Sequence, residues 1–381
     1  MKKLYWRPQR ISSRLLWLVA LVAIGGLLAT ETYSVREKQP FYAEKIKAAK
    51  LAAAAFQVIK QERQKLGVPI DPDTDPAQSG LIGKLLTPVT TNPGHLPSKQ
   101  TSTNPNFAAV ITHLLKRAKV EEGDAVAVGM SGSFPAINIC VLSALKTLNL
   151  RPIIISSAGS SQWGANLAQF MWPDMERALF EQHVFPFRSV AFSRGGIDDR
   201  ALGLDREGRR LLDEVISRSG GAEMQFRNYS ESVELRMSLY REQAGGDDIV
   251  AYINVGGGTT SVGTKVGKRM FKPGLNRTVP RGAVDIDSVM TRFAIDDVPV
   301  IHMTKINNLA ERYGLPLQPL VTPAAGEGKI FFREVKSMWL AGAVLALIIV
   351  LLLAFVRLDW GYRIFNSSRR EPSSTKPERM V

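Results

Sequence analysis

Short apolar runs separated by helical patterns constrain the fold of this chain more than any other feature of its sequence. The runs are apolar almost throughout, instead of alternating with polar residues. Such runs indicate strands that are buried on both faces. Strands of this kind that alternate with helices predict an α/β fold with a mostly parallel, doubly wound, Rossmann-like sheet. The runs lie at 125–128, 152–155, 189–192, 249–253 and 298–301.

The intervals between these runs carry helical periodicity. Apolar residues in 41–66 recur three and four positions apart and Gly67 follows as a stop, so this segment is predicted to be one helix. The stretch 68–105 lacks periodicity and is rich in Pro, Asp and Thr, which predicts a loop region. A loop this long either drapes over the core or has a function. Further helices are predicted near 107–115, 134–148, 206–217, 233–242 and 306–312, and one begins near Pro173.

Two hydrophobic spans lie near the ends of the chain. The span at 15–30 is followed by no good cleavage site, which favours an uncleaved anchor over a secretory signal peptide. The span at 337–356 carries no charge and is long enough to cross a bilayer. Basic residues flank both spans on the terminal side and carry more than half of the net charge of +14. This pattern predicts a two-pass membrane protein, with both termini cytoplasmic and the central domain extracytoplasmic.

The same distribution of charge disfavours nucleic acid as a partner, because little basic excess remains for the central region. The single cysteine, Cys140, excludes an internal disulfide or a cysteine-based zinc site. The predicted organisation is a basic N-terminus at 1–14, a transmembrane helix at 15–30, a juxtamembrane helix at 31–67, a loop region at 68–105, an α/β domain at 106–336, a transmembrane helix at 337–356 and a basic, disordered tail at 357–381.

Loops rich in Gly, Ser and Thr, or in paired carboxylates and arginines, follow the predicted strands. In open α/β sheets, ligands bind beyond the carboxyl ends of the strands, where such loops meet. The sequence therefore predicts a ligand pocket at this edge of the sheet. The candidate ligand-binding residues are Ser131, Gly132, Ser133, Ser156, Ser157, Arg194, Asp198, Asp199, Arg200, Gly256, Gly257, Gly258 and Thr259.

The loop 129–135 leaves three interpretations open. It is a turn in which Ser133 caps the following helix, a site where free N–H groups hold a carboxylate or phosphate, or the site of a serine nucleophile. It is not a Walker loop, because no Gly-Lys-Ser/Thr follows, and not a nucleophile elbow, because Ser133 stands where the elbow has glycine. The nucleophile interpretation makes Ser131, Asp198 and His302 the candidate catalytic residues.

The remaining loops also have alternative interpretations. The loop 256–259 is a glycine-rich turn or a phosphate loop, and the predicted extracytoplasmic location argues against a nucleotide there. The loop 194–200 is a salt-bridged turn, a general acid/base pair or a cation site. His302 lies at the correct edge of the sheet to serve Ser131 as a base, or it is a histidine satisfied at a strand end. No metal site and no cofactor are predicted.

A string of motifs runs through the central region, at Ile70-Asp71-Pro72, Gly80-Leu81-Ile82-Gly83, 101–108, 129–136, Gly164-Ala165-Asn166 and 198–204. This string resembles the bacterial family called poly-gamma-glutamate system proteins, over roughly residues 40 to 330. The resemblance implies a component of the bacterial inner membrane that works beside a poly-γ-glutamate ligase and its membrane partner, so the two-pass protein is expected in that membrane. The family has no assigned reaction, so the resemblance assigns no catalytic residue.

Three functions follow as hypotheses. The first is an accessory component of bacterial poly-gamma-glutamate synthesis or export, whose central domain binds the anionic polymer or a small anionic ligand. The second is a serine hydrolase or γ-glutamyl transferase that acts on the polymer. The third is a non-catalytic scaffold for the synthase. The expected partners are the membrane components of the synthase, the anionic polymer and the lipid bilayer.

Overall fold

The computed structural model describes residues 13–263 and 266–358. The chain divides into two compact units, one at 1–37 with 333–381 and the other at 38–332. The helices are α1 Ser13–Thr32, α2 Tyr42–Lys65, α3 Leu96–Ser102, α4 Phe107–Arg117, α5 Pro135–Thr147, α6 Trp172–Glu181, α7 Arg206–Ser219, α8 Tyr229–Ala244, α9 Thr259–Val262, α10 Gly267–Met270, α11 Val289–Ile295, α12 Ile306–Tyr313 and α13 Met338–Leu358. The strands are β1 Ser34–Lys38, β2 Thr90–Asn92, β3 Ala125–Ser131, β4 Arg151–Ser157, β5 Ser160–Ser161, β6 Asn166–Leu167, β7 Phe170–Met171, β8 Ala191–Ser193, β9 Ile249–Val255, β10 Gly274–Asn276, β11 Val300–Met303 and β12 Phe332–Lys336.

The first unit corrects the predicted membrane topology. Its helices α1 and α13 pack closely at Gly26, where an added Cβ would collide with the side chain of Val344. Side chains are described from Leu16 in α1 and as far as Ala354 in α13, and within these limits no helix is long and apolar enough to cross a membrane. The predictions of transmembrane helices at 15–30 and 337–356, and of a two-pass protein of the bacterial inner membrane, are therefore wrong. The predicted basic segments at 1–14 and 357–381 lie almost entirely outside the described residues.

The second unit is built around a six-stranded sheet in the order β10-β11-β9-β3-β4-β8. Five of these strands are parallel to their neighbours, and they are the five strands that the apolar runs predict. The sixth, β10, pairs antiparallel with β11 at one edge and was not predicted. The prediction of an α/β fold with a mostly parallel sheet is thus confirmed, and the strand order is consistent with a Rossmann-like arrangement.

Each face of the sheet is buried in its own core. Val126 and Val128 of β3 belong to a core that contains residues of α2, α4, α5 and α12. Ala127, between them, belongs to a second core that contains residues of α8 and α11. Because successive side chains of a strand point to opposite faces, a strand covered on both sides must be apolar at every position. This explains the unbroken apolar runs.

Local signals in the sequence fix several helices. The predicted helix at 41–66 is α2, and its alanine-rich face, including Ala48, Ala52 and Ala55, is fully buried in the first core. The predicted helix at 206–217 is α7, which begins where the Asp205 carboxylate accepts a hydrogen bond from the Gly208 N–H at 2.7 Å. It ends at Gly220, which takes the left-handed conformation with φ 72°.

The order of the strands marks one place at the sheet edge. From β3 the chain moves outward to β4 and β8, and it then returns to β9 and continues to β11 on the other side. The direction of winding therefore reverses between β3 and β9. In open α/β sheets, ligands bind in the crevice outside the carboxyl ends of the two strands at such a reversal. The loops that follow Ser131 and Val255 lie at this point.

Candidate site at the carboxyl edge of the sheet

Three serines form a row across the carboxyl ends of β3, β4 and β8. Ser131 is opposite Ser157, and Ser157 is opposite Ser193. The parallel register of β3 with β9 pairs Gly129 with Asn254. Two residues further along both strands, the position beside Ser131 is therefore that of Gly256. The register thus brings predicted residues from three loops into one row, with the reversal point between Ser131 and Gly256.

The loops after β3 and β9 are in contact at this reversal point. Gly256 has φ 87°, a backbone conformation that favours glycine, and a Cβ added there would lie 3.5 Å from the Ser131 Oγ. The same Cβ would lie 3.7 Å from the Phe134 ring. The N–H of Gly256 donates to the carbonyl of Met303 at 3.0 Å, which holds the loop against the end of β11.

A buried lysine lies behind the first of these loops. The Lys99 Nζ donates hydrogen bonds to the Ser133 carbonyl oxygen and, at 2.8 Å, to the Ser161 Oγ. It also lies 3.8 Å from the centroid of the Phe134 ring. Lys99 belongs to α3, within the stretch 68–105 that was predicted as a loop region. That stretch is therefore partly ordered into β2 and α3, and it delivers a cationic side chain to the site.

A second lysine, Lys268, lies beside the glycine loop that follows β9. The Lys268 Nζ would lie 2.7 Å from a Cβ added at Gly257, so its side chain covers the glycine loop. Burial, and then the like charge of Lys268, lower the pKa of Lys99 from its ordinary value of 10.5 to about 7. The charge of Lys268 thus adds to the effect of burial in destabilising the Lys99 ammonium at the point where the strand order reverses.

His302 is fully buried at the end of β11, where it faces Asn254. The Asn254 side-chain nitrogen lies 2.9 Å from the Gly256 carbonyl oxygen and 3.0 Å from His302 Nδ1. Because a carbonyl oxygen only accepts, this nitrogen must be the NH2 group, which donates to both atoms. The Nδ1 atom therefore accepts, and the proton of the neutral ring is on Nε2. Among the residues that the structure describes, Nε2 has no hydrogen-bond partner.

The electrostatic environment of His302 repeats that of Lys99. Burial, followed by the charges of Lys268 and Lys305, lowers the pKa of His302 from 6.5 to about 3. Within the described part of the chain, no carboxylate is among the causes of the shift at either His302 or Lys99. After burial, the charges that lower these two pKa values are therefore positive, and that of Lys268 acts on both groups.

A separate cluster lies at the other end of the serine row. The Asp199 carboxylate accepts hydrogen bonds from the Ser193 Oγ at 2.7 Å and the Ser232 Oγ at 2.8 Å, and it pairs with Arg236 at 2.7 Å. The Ser157 Oγ lies 3.3 Å from the same carboxylate. Burial is the largest single influence on the pKa of Arg236 and lowers it, but the charge and hydrogen bond of Asp199, together with Tyr240 and Tyr252, raise that pKa above its ordinary value. Asp199 is thus enclosed in a buried network of hydrogen bonds and one ion pair.

The predicted site residues are divided by the structure. Ser131, Ser133, Gly256 and Gly257 meet at the reversal point, while Ser157 and Asp199 belong to the paired network. The remaining candidates have contacts of their own. The Ser156 Oγ accepts from Trp172 and Ser189, Arg194 pairs with Asp213 and Glu223, and the Gly132 N–H donates to the Ser157 and Gly159 carbonyls. Thr259 donates to the Gly196 carbonyl, Gly258 precedes α9, and Asp198 and Arg200 are half-buried in the turn at 197–200.

The predicted nucleophilic constellation is not assembled in the described structure. β9 lies between β3 and β11, so the strands that carry Ser131 and His302 are roughly 10 Å apart. The Nδ1 of His302 is occupied by Asn254, and the Ser131 Oγ has a single long contact of 3.4 Å with the Ser133 N–H. Ser133 does not cap α5, because its Oγ accepts from the Ser161 N–H at 3.1 Å.

Sequence reasoning missed the residues that give this site its charge. Lys99 and Lys268 lie in segments without periodicity, and nothing in the sequence shows that they converge. Asn254 directly follows an apolar run that ends at Ile253, and a polar residue at that position was the available signal. A surface groove of about 480 Å³ between Leu86 and Asp205 contains none of the site residues.

Comparison of the chain with models of known protein families, with curated proteins and with solved structures finds no match. The site is therefore interpreted from its own geometry.

Proposed function

We propose that the protein binds an anionic ligand at the reversal point between β3 and β9, and that this ligand is a carboxylate-bearing segment of poly-γ-glutamate. The observation that carries the proposal is the position of Lys268, whose Nζ would lie 2.7 Å from a Cβ added at Gly257 and whose positive charge repels that of Lys99 and adds to the burial that lowers the pKa of Lys99. A bound carboxylate would relieve this repulsion and recover part of its free-energy cost.

Three further features support an anionic ligand. Gly257 of the glycine loop is exposed, and the flexible side chain of Lys268 lies beside it. The Nε2–H of His302 is a buried donor without a partner, and such a group gains a full hydrogen bond from an acceptor. Lys305 adds a third positive charge near His302. A ligand that accepts hydrogen bonds and carries negative charge would therefore fit these groups.

The choice of polymer comes from the motifs that resemble poly-gamma-glutamate system proteins. A γ-linked glutamate chain carries one free α-carboxylate per residue, which fits a site with separated cations. In this proposal the protein is an accessory of polymer synthesis or export and works beside the synthase. Deleting its gene should reduce the amount of surface polymer. Polymer of unchanged amount and length in the deletion strain would contradict this role.

Calorimetric titration of the purified protein with a γ-linked glutamate oligomer tests the binding itself. Replacing Lys268 by alanine should weaken binding about threefold to tenfold, and the affinity should fall as salt rises. Lys272→Ala is the matched control, because Lys272 is also exposed and lies four residues away, and it should bind the oligomer normally. Titration with inorganic phosphate distinguishes a carboxylate site from a general anion site. Equal affinities for Lys268→Ala and the native protein would contradict the proposal.

A further inference from the structure

The contact between Lys99 and Ser161 has the geometry of a nucleophile and its base. Their Nζ and Oγ atoms are 2.8 Å apart, and the side chains come from segments 62 residues apart in sequence. Lys99 is 3% exposed, whereas Ser161 retains 8% of its surface. Both side chains are therefore buried, and the serine keeps the larger exposed fraction.

The three neighbours of the Lys99 Nζ define where its protons lie. The Ser133 carbonyl oxygen only accepts, so it requires one N–H. The Phe134 ring face attracts a second N–H. When the amine is neutral, two N–H groups satisfy these neighbours and the lone pair is directed at the Ser161 Oγ, which then donates its proton. Because burial and Lys268 bring the pKa of Lys99 to about 7, the neutral amine is well populated near neutral pH.

Backbone pairing holds both members of this pair in place. Ser160 and Ser161 form β5, which pairs with β2, and α3 with Lys99 follows β2 after three residues. The N–H of Ser161 donates to the Ser133 Oγ at 3.1 Å, so the loop after β3 is bound to the same serine. The nucleophile and its base are thus fixed against the loop that contributes to the anion site.

We propose that Ser161 and Lys99 are a catalytic pair for acyl transfer from γ-glutamyl amides. The Ser161 Oγ attacks the amide carbonyl carbon while its proton passes to the Lys99 Nζ. The amide C–N bond then breaks, the leaving amine takes that proton from Lys99, and an ester forms on Ser161. Water, or the amine of a second glutamyl chain, attacks the ester with Lys99 again as base and regenerates the Ser161 hydroxyl.

This inference rests on the proposed function only for its substrate class. The α-carboxylate of the γ-glutamyl group would be held by Lys268, which places the adjacent γ-amide within the same crevice. Of the other serines at this edge, Ser131 has no base within hydrogen-bond distance among the described residues, and Ser133 accepts the Ser161 N–H. The structure therefore favours Ser161 over the serines that the sequence suggested.

Labelling with a fluorophosphonate probe, mapped by mass spectrometry, tests the pair. The native protein should be labelled on Ser161, and Ser161→Ala should lose the label. Lys99→Met should slow labelling about 100-fold or more, and the native rate should rise with pH around 7. Ser143→Ala is the control, because Ser143 is also buried but donates only to a carbonyl of its own helix, at 2.8 Å, and it should be labelled at the native rate. No label, or a label on another serine, would overturn the proposal.

A second measurement remains informative if Ser161→Ala is poorly folded. In Ser161→Cys, the new thiol should react with iodoacetamide faster than Cys140, which is fully buried and whose pKa burial raises. Adding Lys99→Met should remove that difference. Release of p-nitroaniline from γ-glutamyl-p-nitroanilide by the native protein, and its loss in Ser161→Ala, tests the substrate class. Oligomer binding retained without any labelling would leave the proposed function intact and reject the catalytic pair.

Discussion

The carboxylate of Asp199 accepts a hydrogen bond from the guanidinium of Arg236 at 2.7 Å, and the two side chains are only 5% and 3% exposed. The backbone at the acidic end of this pair is unusual. Asp199 has a positive φ of 60°, and Asp198 before it has φ 51°, conformations that non-glycine residues seldom adopt. The pair therefore holds a strained turn against the ends of β4 and β8.

Breaking this pair should strongly destabilise the protein. Arg236→Met leaves the Asp199 carboxylate buried without its cation, and removing one partner of a buried pair costs about 3–5 kcal/mol of unfolding free energy. Urea denaturation measures the change. Arg241→Ala, on the same helix, is the control, because its contact with Asp296 is exposed and 3.8 Å long and should contribute at most about 1 kcal/mol. Equal losses in the two variants would contradict the assignment.

The network around Asp199 also shows which part of a site the sequence can predict. The strands are predictable because two-sided burial makes them apolar at every position, and the strand ends then locate Ser131, Ser157 and Gly256. The partners are not predictable, because Arg236 lies 37 residues from Asp199 and reaches it only through the packing of α8. The paired carboxylates suggested a salt-bridged loop, and Asp199 does form an ion pair, but with a residue outside that loop.

Lys99 is a site residue that the sequence did not identify. Its segment has no periodicity, so no helix was expected there, and α3 is only seven residues long. A short helix of this kind is held by its contacts with the rest of the protein and not by its own propensity. Its Nζ meets Ser161 across 62 residues of intervening chain. The feature that sequence could identify was the length of the loop region at 68–105, which indicated that it covers the core or has a function.

The buried amine of Lys99 should make stability depend on pH above neutrality. Its pKa is about 7 in the folded protein and 10.5 ordinarily, so between these values the unfolded chain binds more protons. The unfolding free energy should therefore rise with pH across this window, by up to about 1.4 kcal/mol per pH unit. Urea denaturation from pH 6 to 10 should show a flatter rise for Lys99→Met than for the native protein.

The contribution of Lys99 is the difference between the pH dependence of the unfolding free energy in the native protein and that in Lys99→Met. Lys45 is also buried, and burial lowers its pKa to about 8, so it contributes to the native slope in part of the same window. Lys45 is present in both proteins and cancels in the comparison. Parallel stability curves for the native protein and Lys99→Met would show that the Lys99 ammonium is not destabilised by its surroundings.

His302 should make stability depend on pH in the acidic range. Its pKa is about 3 in the folded protein and 6.5 ordinarily, so between these values the unfolded chain binds more protons and stability falls as pH falls. The side chain of His302→Gln cannot titrate. As pH falls from 6 to 4, the unfolding free energy of this variant should decrease by up to about 1.4 kcal/mol per pH unit less than that of the native protein. His113→Gln should flatten the curve less, because His113 is only half-buried and its pKa falls to about 4.

Direct observation of the imidazole gives a second test of the His302 arrangement. Because Nδ1 accepts from Asn254, the long-range ¹H–¹⁵N spectrum should show a neutral ring with its proton on Nε2 down to pH 4. Adding the γ-glutamate oligomer should shift the Nε2 resonance, since that atom is the buried donor without a partner. A ring protonated on Nδ1 would contradict the assigned tautomer.

Gly257 offers a change that should impair binding without unfolding the protein. An alanine Cβ at this position would lie 2.7 Å from the Lys268 Nζ, which is the far end of a flexible side chain. The lysine can therefore move away, and the unfolding free energy should change by less than about 1 kcal/mol. The displaced ammonium no longer covers the glycine loop, so affinity for the γ-glutamate oligomer should fall about as much as in Lys268→Ala. Combining the two substitutions should add nothing, because both act through Lys268, whereas additive losses of affinity would show that Gly257 contacts the ligand independently.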